Sequence, residues 1–259
     1  MDKIKVCLDA GHYGKYNRSP VLSGYYESDM VWKLHLYLKE ELEAAGFEVI
    51  TTRKEQARDL SVYNRGLLAK GCHLFLSLHS NACDTQSVDY PVTYRAYDNA
   101  GGSDHLGLKL AQGISQIMGT RQAGRTATRR NSSGGEYYGV LRGARAVGLT
   151  DYYIVEHSFH TNLAATKWLS DDGNLRQMAK MEAGIIADYY GIKAPVPEPE
   201  TGIRKGSRVK VSRAVQYNGK PFKVWYPTYE VMSLTGDRAV IGVNGVVTAA
   251  VHVRDLTAV

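Results

Sequence analysis

The sequence IKVCLDAGH at residues 4–12 has the pattern of a buried β-strand that ends in a glycine and a histidine. A second run of this kind, LFLSL at residues 74–78, leads directly into His79. Between the two runs, Glu27 opens a helical pattern. Strands of an open α/β sheet deliver the residues that follow them to its carboxyl edge, so we expect His12, Glu27 and His79 to meet there.

Strand-like and helix-like segments alternate along residues 1–192. The clearest helix covers residues 27–47, where apolar side chains recur every four residues and Gly46 supplies a stop. This alternation predicts an α/β domain with a mostly parallel, twisted sheet flanked by helices. The other predicted strands cover residues 48–52, 92–97 and 152–156, and the other predicted helices cover residues 60–70, 104–118, 164–169 and 175–190.

A change of composition at residues 193–202, KAPVPEPETG, predicts a domain boundary. Three prolines at alternate positions disfavour helix and sheet and favour an extended, semi-rigid spacer. Residues 203–259 then show short strand patterns separated by turn signals such as Asn218-Gly219 and Asn244-Gly245, which predict a small all-β barrel. Its strands are predicted at residues 208–212, 223–226, 229–234, 239–243 and 246–253.

The net charge of +6 is concentrated in this last segment. Of the 32 basic and 26 acidic residues in the chain, nine and three lie at residues 203–259, which leaves 23 of each elsewhere. A localised positive field attracts polyanions, and nucleic acid, anionic membranes and anionic wall polymers all qualify. A basic surface without a cognate polymer is the alternative.

The sequence lacks an apolar run of about 18 residues, so we expect no membrane insertion. Its first residues hold no apolar stretch typical of a signal peptide, and we expect synthesis in the cytoplasm without one. The cysteines, Cys7, Cys72 and Cys83, are odd in number and widely spaced, which favours reduced thiols. Cys83 is close enough to His79 in sequence to approach a metal there, but a small half-buried side chain is the favoured interpretation.

Two imidazoles and one carboxylate form the usual protein ligand set of a catalytic zinc, which keeps its fourth position for water. Taken alone, each residue has an ordinary structural interpretation. His12 would be a loop histidine, and His79 would be a hydrogen-bonded residue at a strand end. Glu27 would be an acid that complements the helix dipole. Their expected convergence favours the metal site. The sequence therefore predicts a metal-dependent hydrolase.

Glu156 lies where the apolar strand pattern YYIV leaves the core. A carboxyl group with mostly apolar surroundings has a raised pKa and can act as an acid or a base, whereas the alternative is a salt bridge to one of the many arginines. The neighbouring His157 and His160 could contact substrate or stabilise an oxyanion, and neither is assigned to the metal. The basic segment at residues 121–130, RQAGRTATRR, is either a flexible lip over the substrate groove or, the favoured interpretation, a solvated loop.

The chain resembles the zinc-dependent N-acetylmuramoyl-L-alanine amidases of the amidase-3 family over about residues 3–191. The resemblance implies that His12, Glu27 and His79 bind one Zn²⁺ and that Glu156 is the catalytic acid/base. It implies structural roles for two arginines and cleavage of the amide between the lactyl group of muramic acid and L-alanine in peptidoglycan. The residues that carry it are LDAGH at 8–12, Glu27, Thr52-Arg53, Arg65, LSLHSNA at 76–82 and VEHSFHTN at 155–162.

Two features refine this resemblance. Ala10-Gly11-His12-Tyr13 stands where the family often has Pro-Gly-His-Gly, which leaves the ligand intact but alters its loop. The variant EHSFH at residues 156–160 resembles phage and prophage lysins of Gram-positive bacteria, and residues 203–259 are similar to bacterial SH3-like wall-binding domains. We therefore expect an endolysin, released to the wall through a holin-type pore, with peptidoglycan and anionic wall polymers as partners.

Three alternatives stay open at this point. A host autolysin or an amidase of spore or wall remodelling would use the same site. A non-catalytic wall-binding protein is disfavoured because such a relative would be expected to lose a ligand or Glu156. A nucleic-acid-binding protein could stack bases on Trp225, Tyr226 and Tyr229, but it leaves the zinc-type set unexplained, and we expect no nucleic-acid partner.

Overall fold

The computed structural model describes residues 3–98, 101–192, 203–235 and 238–259. The chain divides into two compact units, Met1–Ala194 and Pro195–Val259. The proline-rich linker predicted at residues 193–202 lies outside the described residues and stays a prediction. Within the described ranges, no helix is long and apolar enough to cross a membrane.

The first unit alternates strands and helices as the sequence pattern predicts. Its strands are β1 (Lys5–Ala10), β2 (Glu48–Thr51), β3 (Leu74–Asn81), β4 (Val92–Tyr94), β5 (Arg125–Ala127) and β6 (Asp151–Phe159). Its helices are α1 (Glu27–Ala44), α2 (Val62–Leu67), α3 (Asp104–Met118), α4 (Gly139–Ala146), α5 (Leu163–Leu169) and α6 (Asp172–Tyr189).

The six strands form one sheet in the order β2-β1-β3-β6-β4-β5. All neighbours run parallel except β4, which is antiparallel to β6. The α/β fold is confirmed, and the sheet is mixed but mostly parallel as predicted, with one antiparallel pairing among five. Residues 82–91 join β3 to β4 without a helix, and the chain turns back over this short connection, so that β4 runs opposite to β6.

Alternate residues of the central strands pack against helices on opposite faces of the sheet. In β1, Val6 and Leu8 belong to the core cluster that includes the apolar side of α1 and α6, whereas Cys7 packs with α4 on the other face. Helices α2 and α4 approach closely because Gly66 lacks a side chain. A Cβ there would lie 2.1 Å from the carbonyl oxygen of Val140.

The segment at residues 121–130 is not a loop throughout, so the favoured interpretation of it was wrong in part. Residues 125–127 form β5, the edge strand that runs parallel to β4. The three residues, Arg-Thr-Ala, carry no apolar alternation, and it is pairing with β4 that makes them a strand. Helix α4 was not predicted either, because its pattern is short and rich in glycine and alanine.

The second unit is an antiparallel sheet with the strand order β10-β9-β8-β7-β11. Asn244 and Gly245 both adopt positive φ, 52° and 79°, and they turn the chain between β9 and β10 as the hairpin signal predicts. Closure of this sheet into an SH3-like barrel stays a prediction. The strands are β7 (Arg208–Val211), β8 (Tyr229–Thr235), β9 (Arg238–Val243), β10 (Val246–His252) and β11 (Leu256–Ala258).

The strand predicted at residues 223–226 was wrong. This segment has no regular structure, and its three apolar residues Val224, Trp225 and Tyr226 are exposed rather than packed in the core. The sheet instead gains β11, which pairs with β7 after a 3-10 turn at Val253–Asp255. An apolar run predicts a strand only if its side chains have a core to enter.

Candidate active site

Three predicted ligands meet at the carboxyl edge of the sheet. His12 follows β1, His79 lies near the end of β3, and Glu27 is the first residue of α1. The Nε2 atom of His12 lies 3.2 Å from Oε2 of Glu27, and Nδ1 of His79 lies 2.9 Å from Oε1 of the same carboxylate. One ligand atom from each residue falls within 4.8 Å of the others, so the three side chains can hold one ion.

Two buried arginines fix the loop that carries His12. His12 itself has a φ of 57°, a left-handed conformation that is uncommon for a residue with a side chain. Arg65 donates from Nη2 to the His12 carbonyl oxygen and from Nη1 to that of Ala10, each at 3.0 Å. Arg53 donates to the same Ala10 oxygen. These contacts match the structural roles that the resemblance implies for both arginines.

The buried Asp9, which the sequence analysis missed, ties this loop to the neighbouring strands. Its carboxylate accepts hydrogen bonds from the hydroxyls of Thr52 at 2.6 Å and Ser77 at 2.7 Å. Nη1 of Arg65 lies 3.6 Å from the same carboxylate, which stabilises the buried charges of both groups. An acid one residue before a strand end was the only signal that could have identified it.

The carboxylate of Glu27 is buried yet well supplied with donors. It accepts from the side-chain amide of Asn17 at 2.7 Å and from the backbone N–H of Ser80 at 2.9 Å. Burial raises the pKa of Glu27, but the side-chain hydrogen bonds from His12 and His79 outweigh burial, and the pKa falls below its usual value. The group is therefore held as a carboxylate, the form that binds a metal. Asn17 was missed because its loop, between β1 and α1, carries no periodic pattern.

Glu156 lies on β6 directly opposite His79 on β3. Residues opposite each other on neighbouring strands project from the same face of the sheet, so the two side chains share one face. Its Oε2 atom is buried without a hydrogen-bond partner, and among the described residues no basic group lies within salt-bridge distance of it. Burial, reinforced by the charge of Glu27, raises the pKa of Glu156 well above its usual value. Glu156 thus has the raised pKa that its apolar surroundings predict, and the described residues show no arginine salt bridge to it.

A β-bulge follows Glu156, and His157 just after it lies on the face of the sheet that Tyr153 and Val155 share. The register shifts between His79 and Asn81, and Ser158 has a φ of 60°. His157 becomes fully buried, with Nδ1 2.9 Å from the carbonyl oxygen of His79 and Nε2 2.8 Å from Oε1 of Glu182. Burial lowers the pKa of His157, but the Glu182 carboxylate reverses this effect and raises it. The hypothesis that His157 contacts substrate was wrong, because this buried side chain instead contacts the backbone of His79.

His160 lies close to the Glu27 carboxylate and has almost no exposed surface. It is buried, and its Nδ1 atom lies 2.9 Å from the carbonyl oxygen of Ser80 and 3.9 Å from Oε2 of Glu27. Its position supports the Glu27 carboxylate and leaves little surface for a substrate. Cys83 is not part of the cluster, since its thiol donates to the carbonyl oxygen of Thr85.

A cleft of about 310 Å³ opens beside the ligands. His12 and His79 line it together with residues 60–62 and Val140. The ring of Tyr16 stacks on His12 with centroids 5.1 Å apart, so an exposed aromatic residue borders the ligand. A larger cavity of about 490 Å³ lies beside the first turns of α1 and contains neither histidine ligand. The smaller cleft is therefore the one placed for chemistry.

These residues fit a divalent zinc ion. Two imidazole nitrogens and one ionised carboxylate are a donor set that catalytic zinc sites use. The carbonyl contacts of Arg65 and His157 fix the backbone of both histidines, as outer-shell partners of metal ligands do.

We expect Gly11→Ala to weaken metal binding. A Cβ at this position would lie 2.3 Å from Cε1 of His79, so the imidazole must move. Disturbing the support of a metal ligand costs about 10–100-fold in affinity. Competition with a fluorescent zinc chelator measures this loss.

Gly184→Ala on α6 is the matched control, because a Cβ there meets no atom within 4 Å. This variant should bind zinc as the parent protein does. Unchanged zinc affinity in Gly11→Ala would show that the crowding of His79 is not important for the site.

The comparisons with known proteins concern the first unit. The sequence model of the family described as N-acetylmuramoyl-L-alanine amidase matches residues 6–188. The search of curated proteins gave no match to this chain.

Solved amidase structures share its fold. The N-acetylmuramoyl-L-alanine amidase of Clostridium difficile 630 is 20% identical with a TM-score of 0.64, covering 74% of this chain and 100% of its own. The catalytic domain of CwlV from Bacillus (Paenibacillus) polymyxa var. colistinus is 19% identical with a TM-score of 0.60, covering 73% and 99%. AmiC2 of Nostoc punctiforme is 25% identical with a TM-score of 0.60, covering 73% and 98%.

Proposed function

Because the chain belongs to the N-acetylmuramoyl-L-alanine amidase family of peptidoglycan hydrolases, we propose that it is a zinc-dependent amidase of the bacterial wall. The bond is the amide between the lactyl group of N-acetylmuramic acid and L-alanine. The observation that carries this proposal is the convergence of His12, Glu27 and His79, with Glu156 opposite His79 on the next strand.

His12, Glu27 and His79 would hold one zinc ion. When bound, zinc supplies Lewis-acid polarisation of the amide carbonyl and lowers the pKa of water. The chain's own contribution is to keep Glu27 ionised through Asn17 and Ser80 and to fix the loop of His12 through Arg65.

Glu156 moves the protons of the reaction. Its unpartnered Oε2 atom can accept a proton from the attacking water, whose oxygen adds to the lactyl carbonyl carbon. The Glu156 carboxyl group then donates that proton to the nitrogen of L-alanine as the carbon–nitrogen bond breaks. The raised pKa of Glu156 suits both steps. It makes the carboxylate a stronger base toward water, and the carboxyl group then holds the proton until it is transferred to the leaving nitrogen. The products are a lactyl carboxylate and a stem peptide with a free amino terminus.

Digestion of purified Gram-positive peptidoglycan followed by mass spectrometry tests this function. We expect free stem peptides that begin with L-alanine, lost after treatment with a zinc chelator and restored by added zinc. Release of disaccharides, or of peptides cut at another bond, would contradict the proposed bond. Unchanged digestion by protein shown to be free of zinc would contradict the metal requirement.

Within this activity we favour an endolysin released by a holin-type pore. The support is the sequence EHSFH at residues 156–160, which resembles phage and prophage lysins. A host autolysin or an amidase of spore or wall remodelling is the alternative. A holin gene beside the coding sequence would favour the endolysin, and a sporulation operon would contradict it.

The second unit is proposed to hold the enzyme on the wall. The nine basic and three acidic residues at positions 203–259 suit an anionic polymer. A tether of the proline-rich kind raises the local concentration of substrate. Nucleic acid is not the proposed partner, because it leaves the ligand cluster of the first unit without a role. A gel shift on duplex DNA at moderate salt should therefore show no specific complex.

A further inference from the structure

Three consecutive apolar side chains are exposed on the second unit, and we refer to Val224, Trp225 and Tyr226 as the aromatic platform. Trp225 is 65% exposed and Tyr226 is 48% exposed. The platform lies in the irregular segment that precedes β8. Exposed large apolar side chains that are adjacent to one another are typical of binding surfaces.

The platform is held in place by a buried tyrosine. Tyr229 is 2% exposed, and its phenol oxygen accepts hydrogen bonds from the backbone N–H of Trp225 at 2.8 Å and of Tyr226 at 3.2 Å. The rings of Tyr226 and Tyr229 meet edge to face with centroids 5.9 Å apart. The backbone under the indole is thus anchored to the core. This anchoring reduces the conformational entropy that the segment loses when a ligand binds.

Positive charge accompanies these rings. The Nζ atom of Lys223 lies 4.2 Å from the centroid of the Trp225 ring. Arg208 donates to the hydroxyl of Thr228 at 3.2 Å, which places its guanidinium beside the other end of the same segment. Residues 203–259 carry nine basic residues against three acidic ones. Aromatic faces next to cations suit a ligand with both C–H faces and negative charge.

We infer that the aromatic platform, with Lys223 and Arg208, binds a phosphate-bearing sugar or polyol polymer of the bacterial wall. The sugar or polyol carbons would lie on the indole of Trp225, and phosphate groups would pair with the two cations. An uncharged peptide would make no use of the basic excess. This inference rests on the proposed wall amidase, since a wall substrate is what favours a wall polymer over a nucleic acid.

The test is sedimentation of the full chain with purified Gram-positive walls. Glu156→Gln is present in every sample to prevent digestion, so the readout needs no turnover. Trp225→Ala should raise the apparent Kd for walls by about tenfold or more, as loss of an aromatic anchor does. Trp225→Phe, which keeps a ring, should bind more tightly than Trp225→Ala. Val247→Ala is the control, because this residue is exposed in the same unit but lies outside the platform.

The ligand is tested by hydrofluoric acid extraction of the walls, which cleaves phosphodiesters and leaves peptidoglycan. Extraction should reduce binding of the parent protein to the level of Trp225→Ala, and Lys223→Gln should make binding less sensitive to salt. Equal wall binding by Trp225→Ala and the parent protein would show that the aromatic platform is not the binding surface. Full binding to extracted walls would contradict the inference that the ligand is a phosphate-bearing polymer. Trp225-dependent binding to DNA but not to walls would contradict the inference that the partner is the wall. A wrong amidase assignment would appear instead in the peptide analysis, with this binding intact.

Discussion

Glu156→Gln is expected to lower the turnover of peptidoglycan fragments by about 10²–10⁴-fold, the usual contribution of a general acid/base. Glutamine keeps the shape of the side chain but cannot carry the proton between water and the leaving nitrogen. Zinc content should stay at one ion per chain, because Glu156 is not part of the ligand cluster. Turnover of soluble fragments and zinc content are measured on the same preparation.

Thermal unfolding separates this catalytic role from a structural one. Glu156 has a buried oxygen without a partner, so its replacement by a neutral amide removes no ion pair that stabilises the fold. The Tm should therefore not fall. Glu43→Gln on α1 is a matched control, because its surface pair with Lys39 contributes little to stability. Turnover of Glu156→Gln close to that of this control would contradict the assignment.

His79→Ala is expected to abolish both zinc binding and turnover. Loss of an outer-shell partner already costs about 10–100-fold in metal affinity, and loss of a ligand should cost more than about 10²-fold. The substitution also removes the 2.9 Å hydrogen bond to Oε1 of the buried Glu27 carboxylate. Because that contact lowers the pKa of Glu27, its loss makes the remaining carboxylate easier to protonate and a poorer ligand.

Zinc affinity from chelator competition and turnover test this result together. His105→Ala serves as the control, since His105 is exposed near the start of α3 and belongs to no ligand group. Stoichiometric zinc in His79→Ala at micromolar protein would show that the ion is held elsewhere. Full turnover without zinc would remove the metal from the mechanism.

The convergence of His12, Glu27 and His79 could be predicted from sequence because each stands at the end of an element with a strong pattern. His12 and His79 follow or end buried strands, and Glu27 opens a helix whose apolar residues recur every four positions. An α/β sheet converts such positions into neighbours at one edge. The position of Glu156 followed from the same argument.

The supporting residues could not be predicted in this way, because their roles depend on contacts that no local pattern records. Asn17 reaches Glu27 from an irregular loop, and Asp9 pairs with hydroxyls of two other strands. Alternation along β6 places His157 on the face of Tyr153 and Val155, but no local pattern shows that Glu182 of α6 is its partner. The strand predicted at residues 223–226 was wrong because the sequence does not show whether an apolar residue such as Trp225 is exposed or buried.

Anomalous diffraction at the zinc absorption edge, from crystals of the protein grown with zinc, tests the metal centre most directly. We expect one peak bonded to a nitrogen of His12, a nitrogen of His79 and a carboxylate oxygen of Glu27, each at about 2.0–2.2 Å. Glu156 should lie outside bonding distance of the ion. A peak at another group of residues, or Glu156 bound to the ion in place of one of the three, would contradict the account.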